Sequence, residues 1–318
     1  MRKTLYIHIG TGKTGSTAIQ SFMAKNRNVL SDKYGLLYPE TALYLNKHRA
    51  IDLNARRNDL DARDKIKLLI DSLNNEIMET PCPIIVISDE DFPGLSKDEV
   101  TFYRDNIHKD IDVKFIVYLR RQDEFLESWF NQIVKTGSYN SDIKNLKETL
   151  VEKGVFDYMS LIEMWESVLG KDSAVVRVYE KDSFFGGNIF SDFMNVFDID
   201  YDGLEVPEKD PNPSLTRDKI LLLRKFSNNG LRDLIDNNFI EHLIKLNPEL
   251  GDEKLVLSPS ERKKFLSSYS GVNSRVALKY LKRDTLFLNV EVNDEWKPRI
   301  SIPDKLMIEM FKYCLKDG

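Results

Sequence analysis

Several things are scarce in this chain. Its 318 residues include only two cysteines, Cys82 and Cys314, and four histidines. Neither cysteine sits in a Cys-x-x-Cys or other metal-ligand spacing, which excludes a disulfide-stapled scaffold and a zinc-finger type of site. So few thiols fit a reduced, intracellular protein. No apolar run approaches the roughly 20 residues that span a bilayer. The first strand begins within a few residues of Met1, leaving no room for a signal peptide, so a cytoplasmic location is expected. Positive charge is not in excess either. With 46 basic and 51 acidic side chains the formal net charge is -5, which argues against broad nucleic-acid binding but allows a local basic groove. There is no internal repeat and no low-complexity tract. The hydrophobic fraction of 42% supports a full core in a chain of this length.

What is present is concentrated at the N-terminus. Leu5-Tyr6-Ile7-His8-Ile9 reads as a short buried strand. It runs into Gly10-Thr11-Gly12-Lys13-Thr14-Gly15-Ser16-Thr17 and then into a helical pattern from Ala18. A strand, a Gly/Ser/Thr loop with one lysine and a helix N-terminus make an anion cradle, because loop amides and first-turn N–H groups point at the ligand. The tripeptide Gly12-Lys13-Thr14 invites a Walker reading. That pattern needs a glycine five residues before Gly12, and the position holds Ile7, inside the strand. The loop is too short to wrap a triphosphate in that way. One lysine among three hydroxyls and several amides suits a compact, doubly anionic group.

A second segment points the same way. Val113 to Leu119 is a near-continuous apolar, β-branched run, typical of a central parallel strand. It ends in Arg120-Arg121. A helix is expected from about Gln122 to Thr136, with Phe125, Trp129 and Ile133 as its apolar stripe and Leu126 and Phe130 on the flank. Ser128 lies eight residues after Arg120. A guanidinium and a hydroxyl can clamp one further phosphate, and ligands of open α/β sheets bind beyond the carboxyl ends of strands.

The two motifs together resemble the sulfotransferases that use 3′-phosphoadenosine 5′-phosphosulfate (PAPS). Lys13-Thr14-Gly15-Ser16-Thr17 is similar to that family's 5′-phosphosulfate loop, Lys-[Thr/Ser]-Gly-[Thr/Ser]-Thr. Arg120 and Ser128 resemble its 3′-phosphate pair. The stretches Tyr118 to Ser128 and Ile7 to Gln20 resemble the bacterial members in particular. Looser similarity appears in Asn212-Pro213-Ser214-Leu215 and Asn273-Ser274-Arg275. The resemblance implies in-line transfer of a sulfuryl group to an acceptor hydroxyl, without a metal, leaving 3′,5′-adenosine bisphosphate (PAP). It implies that Lys13 stabilises the leaving phosphate, that Gly12, Thr14, Gly15, Ser16 and Thr17 hold the 5′-phosphate, and that Arg120 and Ser128 hold the 3′-phosphate. Ser214, Asn273 and Arg275 are further candidate donor contacts. The acceptor is expected to be a carbohydrate, as in polysaccharide modification, or another small molecule.

An acceptor hydroxyl needs a general base. Ile84 to Ile87 reads as a strand ending in Ser88-Asp89-Glu90-Asp91, where the cytosolic branch of the family carries a histidine. Glu90 is the first candidate. His48, after Tyr38-Pro39-Glu40, is the second. His8 falls inside the first strand and reads as a buried, hydrogen-bonded histidine. Lys47, Arg49, Arg56, Arg57 and Arg63 form a local basic cluster, read as a solvated helical face or an acceptor contact.

The fold class expected is α/β, a mainly parallel central sheet with helices on both faces, in the P-loop-like sulfotransferase manner. The whole chain is expected to be one domain. Residues 1–200 would be the donor-binding core and 201–318 a mostly helical extension. Expected helices are Asp59 to Met78, Tyr158 to Leu169, Phe190 to Val196, Leu215 to Phe226, Leu231 to Leu246, Ser258 to Ser268, Ser274 to Lys282 and Pro303 to Leu315, with a strand at Ala174 to Tyr179. Two other readings stay open: a P-loop kinase, which needs Mg²⁺, ATP and a strand-end aspartate such as Asp89 or Asp91, and a catalytically silent nucleotide-binding protein.

Overall fold

The computed structural model describes residues 2–52, 61–207, 214–246, 255–288, 296 and 301–315. In chain order the elements are β1 (Lys3–His8), α1 (Ser16–Lys25), α2 (Arg27–Tyr34), β2 (Leu36–Leu37), α3 (Ala62–Glu79), β3 (Ile84–Ser88), α4 (Lys97–Asn106), β4 (Ile111–Leu119), α5 (Gln122–Lys135) and α6 (Ile143–Glu152). They continue with α7 (Tyr158–Leu169), β5 (Ala174–Val178), α8 (Ile189–Asn195), α9 (Arg217–Asn228), α10 (Asn237–Lys245), α11 (Pro259–Ser267), α12 (Ser270–Val276) and α13 (Asp304–Cys314). The chain divides into two compact units. The first comprises Met1–Arg120, Asp157–Lys209 and Gly271–Asn289; the second Arg121–Phe156, Asp210–Ser270 and Val290–Gly318.

The first unit is an α/β layer structure. Five strands, all parallel, lie in the order β2-β3-β1-β4-β5. The alternation of side chains along each strand separates two apolar layers. Leu5, Ile7, Ile85, Ile87, Phe115, Val117 and Leu119 pack with Ile66, Ile70 and Leu73 of α3, Val100 of α4, and Ile162 and Trp165 of α7. Val86, Ile116 and Tyr118 face the other way, onto Ile19, Phe22 and Met23 of α1, Leu30 of α2, and Phe193 and Met194 of α8. Helices therefore cover both faces, as an all-parallel sheet requires. The central strand β1 ends at His8, so the loop after it opens at the carboxyl edge, beside the ends of β3 and β4.

The second unit is helical. Leu126, Phe130 and Val134 of α5, Leu146 of α6, Leu222, Leu223 and Phe226 of α9, Phe239 and Leu243 of α10, Phe265 of α11, and Leu306 and Met310 of α13 form its core. Asn131 of α5 ties down the chain before α9: its amide donates to the Leu215 carbonyl at 2.7 Å and accepts from the Leu215 N–H at 3.2 Å.

Three expectations need correction. Helix α5 has the expected limits, but Trp129 and Ile133 are only half-buried, and the buried stripe runs through Phe125, Leu126, Phe130 and Val134. The segment Leu231 to Leu246 is not one helix. A short 3₁₀ turn, Arg232–Leu234, precedes α10, whose start is set by Asp236 accepting from the Phe239 N–H at 2.7 Å. Ser274 to Lys282 is the end of α12 followed by a π-turn, Ala277–Leu281, closed by Lys282 with φ 55°. The expected helix start at Asp59, and Asn212 and Pro213 of the looser motif, lie outside the described residues.

Candidate functional site

The loop after β1 is shaped by its backbone. Lys13 and Gly15 both have left-handed φ, 67° and 76°. At Gly15 the left-handed backbone favours glycine, and a Cβ would lie 2.6 Å from Ile189 Cδ1 and 3.0 Å from Tyr179 Cε2. At Gly10 a Cβ would meet Ser16 Cβ at 3.1 Å. Two threonines hold the turn from inside. Buried Thr11 donates its hydroxyl to the Tyr118 carbonyl at 2.5 Å, and fully buried Thr14 donates to the Thr11 carbonyl at 2.5 Å. Thr14 therefore supports the loop with its side chain and offers an anion only its backbone. Helix α1 begins at Ser16, two residues earlier than the sequence suggests. Its N-terminus has no side-chain cap and no acid in the first turn. Left-handed turn residues before such a helix start direct successive N–H groups into one concavity, which suits a compact anion.

Arg120, at the end of β4, comes to this loop. Its Nη1 donates to the Lys13 carbonyl at 2.7 Å, and its guanidinium lies 5.4 Å from the ring centroid of Tyr179. The Arg120 carbonyl accepts from the Tyr158 hydroxyl at 2.5 Å. Tyr179 thus touches both the Gly15 side of the loop and Arg120. Tyr179 stands in no motif of the sequence, and its place one residue beyond β5, at the same carboxyl edge, is the signal that marks it.

The β3 end supplies acids. Glu90 is half-buried, with its carboxylate between two elements: Ser16 Oγ donates to Oε2 at 3.3 Å and Lys47 Nζ to Oε1 at 2.9 Å. A carboxylate has about four acceptor sites, so these two bonds leave capacity for a proton from outside. Asp89 is buried, and burial, with Asp52 and Asp91 nearby, pushes its carboxyl up to about 6. Carboxylate oxygens of Asp52, Asp89 and Asp91 lie within 4.8 Å of one another. Arg49 pairs with Asp91.

His48 has a different task from the one expected of it. It is fully buried, its Nδ1 accepts from the Ser88 N–H at 3.1 Å, and its Nε2 lies 3.2 Å from the Pro39 carbonyl. Burial holds its pKa down to about 3. A neutral ring with both nitrogens engaged pins the Pro39 segment to β3 and has no lone pair left to receive an acceptor's proton. His8 is likewise buried, with Nδ1 2.8 Å from Ser88 Oγ and its pKa held down to about 3 by burial. The expected basic helical face also dissolves. Lys47 and Arg49 sit on a turn and a short 3₁₀ segment, and each pairs with an acid of the β3 end. Arg63 is on α3, over the Phe102 ring. Arg56 and Arg57 lie outside the described residues.

The structure brings Gly12, Lys13, Thr14, Gly15, Ser16, Thr17, Arg120 and Glu90 to one edge of the first unit. Asn273 and Arg275 lie on α12, half-buried and exposed respectively, and Ser128 and Ser214 belong to the second unit. There, next to Ser128, Glu127 accepts from the N–H groups of Val256 and Leu257 at 3.0 and 2.7 Å, and burial pushes its pKa up to about 7.

No family model matches the sequence. A 226-residue stretch, 70% of the chain, is 26% identical to an uncharacterized protein of Archaeoglobus fulgidus and spans 61% of that protein's length. Among solved structures, a sulfotransferase from Alicyclobacillus acidocaldarius is similar over 76% of this chain and 100% of its own, at 13% identity and a TM-score of 0.42. Among the described residues no helix is long and apolar enough to cross a membrane.

Proposed function

We propose that the protein is a sulfotransferase that moves a sulfuryl group from PAPS to an acceptor hydroxyl of a saccharide. The observation that carries this reading is the pairing of the uncapped α1 loop with Glu90, which touches Ser16 at the same helix start. The donor supplies an activated sulfuryl group on its 5′-phosphate. The acceptor oxygen forms a bond to sulfur as the sulfur–oxygen bond to that phosphate breaks, and the bond pair stays with the phosphate. Lys13 and the α1 N–H groups stabilise the charge that grows there, more in the transition state than before it. Glu90 takes the acceptor proton, with Lys47 and Ser16 holding its carboxylate in place. Arg120, a planar fork of N–H donors set against the Lys13 carbonyl, binds the 3′-phosphate. The roles of Ser128, Ser214, Asn273 and Arg275 rest on the resemblance. Transfer of labelled sulfate from PAPS to a panel of saccharides tests the proposal, and no transfer to any of them, with PAP failing to bind, would refute it.

A second reading keeps one specific observation in its favour. The triad Asp52, Asp89 and Asp91 is the kind of acidic group a kinase uses for Mg²⁺. Ile7 in place of the Walker glycine argues against it. Competition between PAP and Mg·ATP separates the two.

A further inference from the structure

The segment Ala42 to Lys47 carries strain, exposure and a tether in one place. Ala42, Leu45 and Asn46 have φ of 65°, 48° and 68°. Three non-glycine residues in the left-handed region within five positions are a local cost of the kind that clusters at ligand sites. Leu45 and Asn46 are the middle of a reverse turn closed on both sides: the Tyr44 N–H donates to the Lys47 carbonyl at 2.7 Å and the Lys47 N–H to the Tyr44 carbonyl at 3.1 Å. With both central φ positive this matches a type I′ turn, which ordinarily takes Asn-Gly. Here a leucine leads. At its tip Tyr44 is 59% and Leu45 77% exposed.

The turn is nevertheless fixed to the candidate site. Lys47 reaches Glu90, Arg49 reaches Asp91, and the Tyr38 hydroxyl donates to the Asn46 carbonyl at 2.7 Å. Asn46 also lines a shallow cleft of about 390 Å³, whose other walls are Ser21, Ala24 and Lys25 of α1 and Pro207. With a helical rise of about 1.5 Å per residue, Ser21 lies about 8 Å and Lys25 about 13 Å along α1 from Ser16. Ser16 is the residue that touches Glu90. The α1 wall of the cleft thus lies about 8–13 Å along the helix axis from the residue that touches the candidate base.

We propose that the Tyr44–Lys47 turn and this cleft form an acceptor subsite for an oligosaccharide chain, a deepening that rests on the sulfuryl-transfer reading for the chemistry at Glu90. A pyranose has an apolar face and a hydroxyl rim. One exposed aromatic ring offers a stacking surface to that face. The Ser21 hydroxyl and the Asn46 amide suit the rim of the sugars beyond, beside the Lys25 ammonium, which pairs with Glu205 at 3.0 Å. A flat apolar alcohol would instead want an enclosed, mostly apolar pocket. The turn's two hydrogen bonds fix the backbone that carries Tyr44, which lowers the ordering cost of binding.

The test uses the full chain on an array of neutral and uronate-containing oligosaccharides, with PAP affinity measured by calorimetry in parallel. The variants are Tyr44→Ala, Tyr44→Phe and Ser21→Trp, at positions whose side chains lie outside the core. The wild type and Tyr44→Phe should bind alike. Tyr44→Ala should bind about tenfold more weakly, and Ser21→Trp, which fills the cleft, should lose the longer chains. PAP affinity should stay the same in all four proteins. Wild-type binding retained in both Tyr44→Ala and Ser21→Trp, or no oligosaccharide bound by the wild type, would overturn the subsite. The expected array pattern without PAP binding would leave the subsite standing and remove the donor assignment.

Discussion

Replacing Gly15 by alanine probes the loop at its tightest point. The residue sits at φ 76° as the N-cap of α1, and an added Cβ would lie 2.6 Å from Ile189 Cδ1 and 3.0 Å from Tyr179 Cε2. Two costs add. The left-handed backbone costs an alanine about 1–2 kcal/mol, and forcing a methyl into packed surroundings costs about 1–3 kcal/mol. The Ile189 methyl is the end of a flexible chain and can give. The Tyr179 ring is less free, between the Arg120 guanidinium at 5.4 Å and the Phe184 ring at 5.5 Å. The expected loss is about 2–5 kcal/mol, read as a shift in urea midpoint at constant slope. Adding Ile189→Ala should recover part of the packing cost relative to Ile189→Ala alone and leave the backbone cost. PAP affinity should fall as well, because the loop amides are re-aimed. A Gly15→Ala protein within about 0.5 kcal/mol of wild type, with undiminished PAP affinity, would refute this account of the loop.

Other outcomes follow from the same geometry. Glu90→Gln should lower turnover by about 10²–10⁴-fold with PAP affinity unchanged, as measured by labelled-sulfate transfer and calorimetry. Lys13→Ala should cost turnover more than donor binding, whereas Arg120→Ala should cost donor affinity, separable by titrating PAP against each. Burial holds His8 and His48 near 3 against an ordinary 6.5. The unfolded chain therefore takes up protons the folded chain refuses, and stability is lost as pH falls below 6.5, by about 2 kcal/mol per histidine at pH 5. Urea curves at pH 7 and 5 check the sign. Glu127 runs the other way: with its folded pKa raised to about 7 from 4.5, the stability it contributes is present in acid and lost as pH rises through 7. Glu127→Gln should lack that loss, and a pH profile parallel to wild type would contradict the assignment.

The sheet was the easiest part to read. Val113 to Leu119 could be placed as a central strand because a strand covered on both faces has no polar alternation to confuse it, and β4 is buried almost throughout. The limits of α5 were legible, but its buried face was not. Trp129 and Ile133 are as apolar as Phe130 and Val134, and only the packing with α6, α9 and α11 decides which of them faces inward. The same division runs through the site. The Lys13 loop announces itself through glycine and hydroxyl chemistry in consecutive residues. Long-range contacts leave no such trace: Lys47 meets Glu90 across 43 positions, and His48 meets Ser88 across 40. A histidine in a polar stretch looks like a base until the fold shows both of its nitrogens engaged.

The proposed function stands or falls on whether the loop after β1 takes an adenosine bisphosphate rather than a triphosphate. Calorimetric titration with PAP, repeated in the presence of Mg·ATP, tests it most directly. The expected result is one PAP per chain, loss of affinity in Arg120→Ala, a rise in melting temperature corresponding to about 2.7 kcal/mol at a hundredfold excess over Kd, and no competition from Mg·ATP. Lys13-dependent binding of Mg·ATP with no binding of PAP would contradict it.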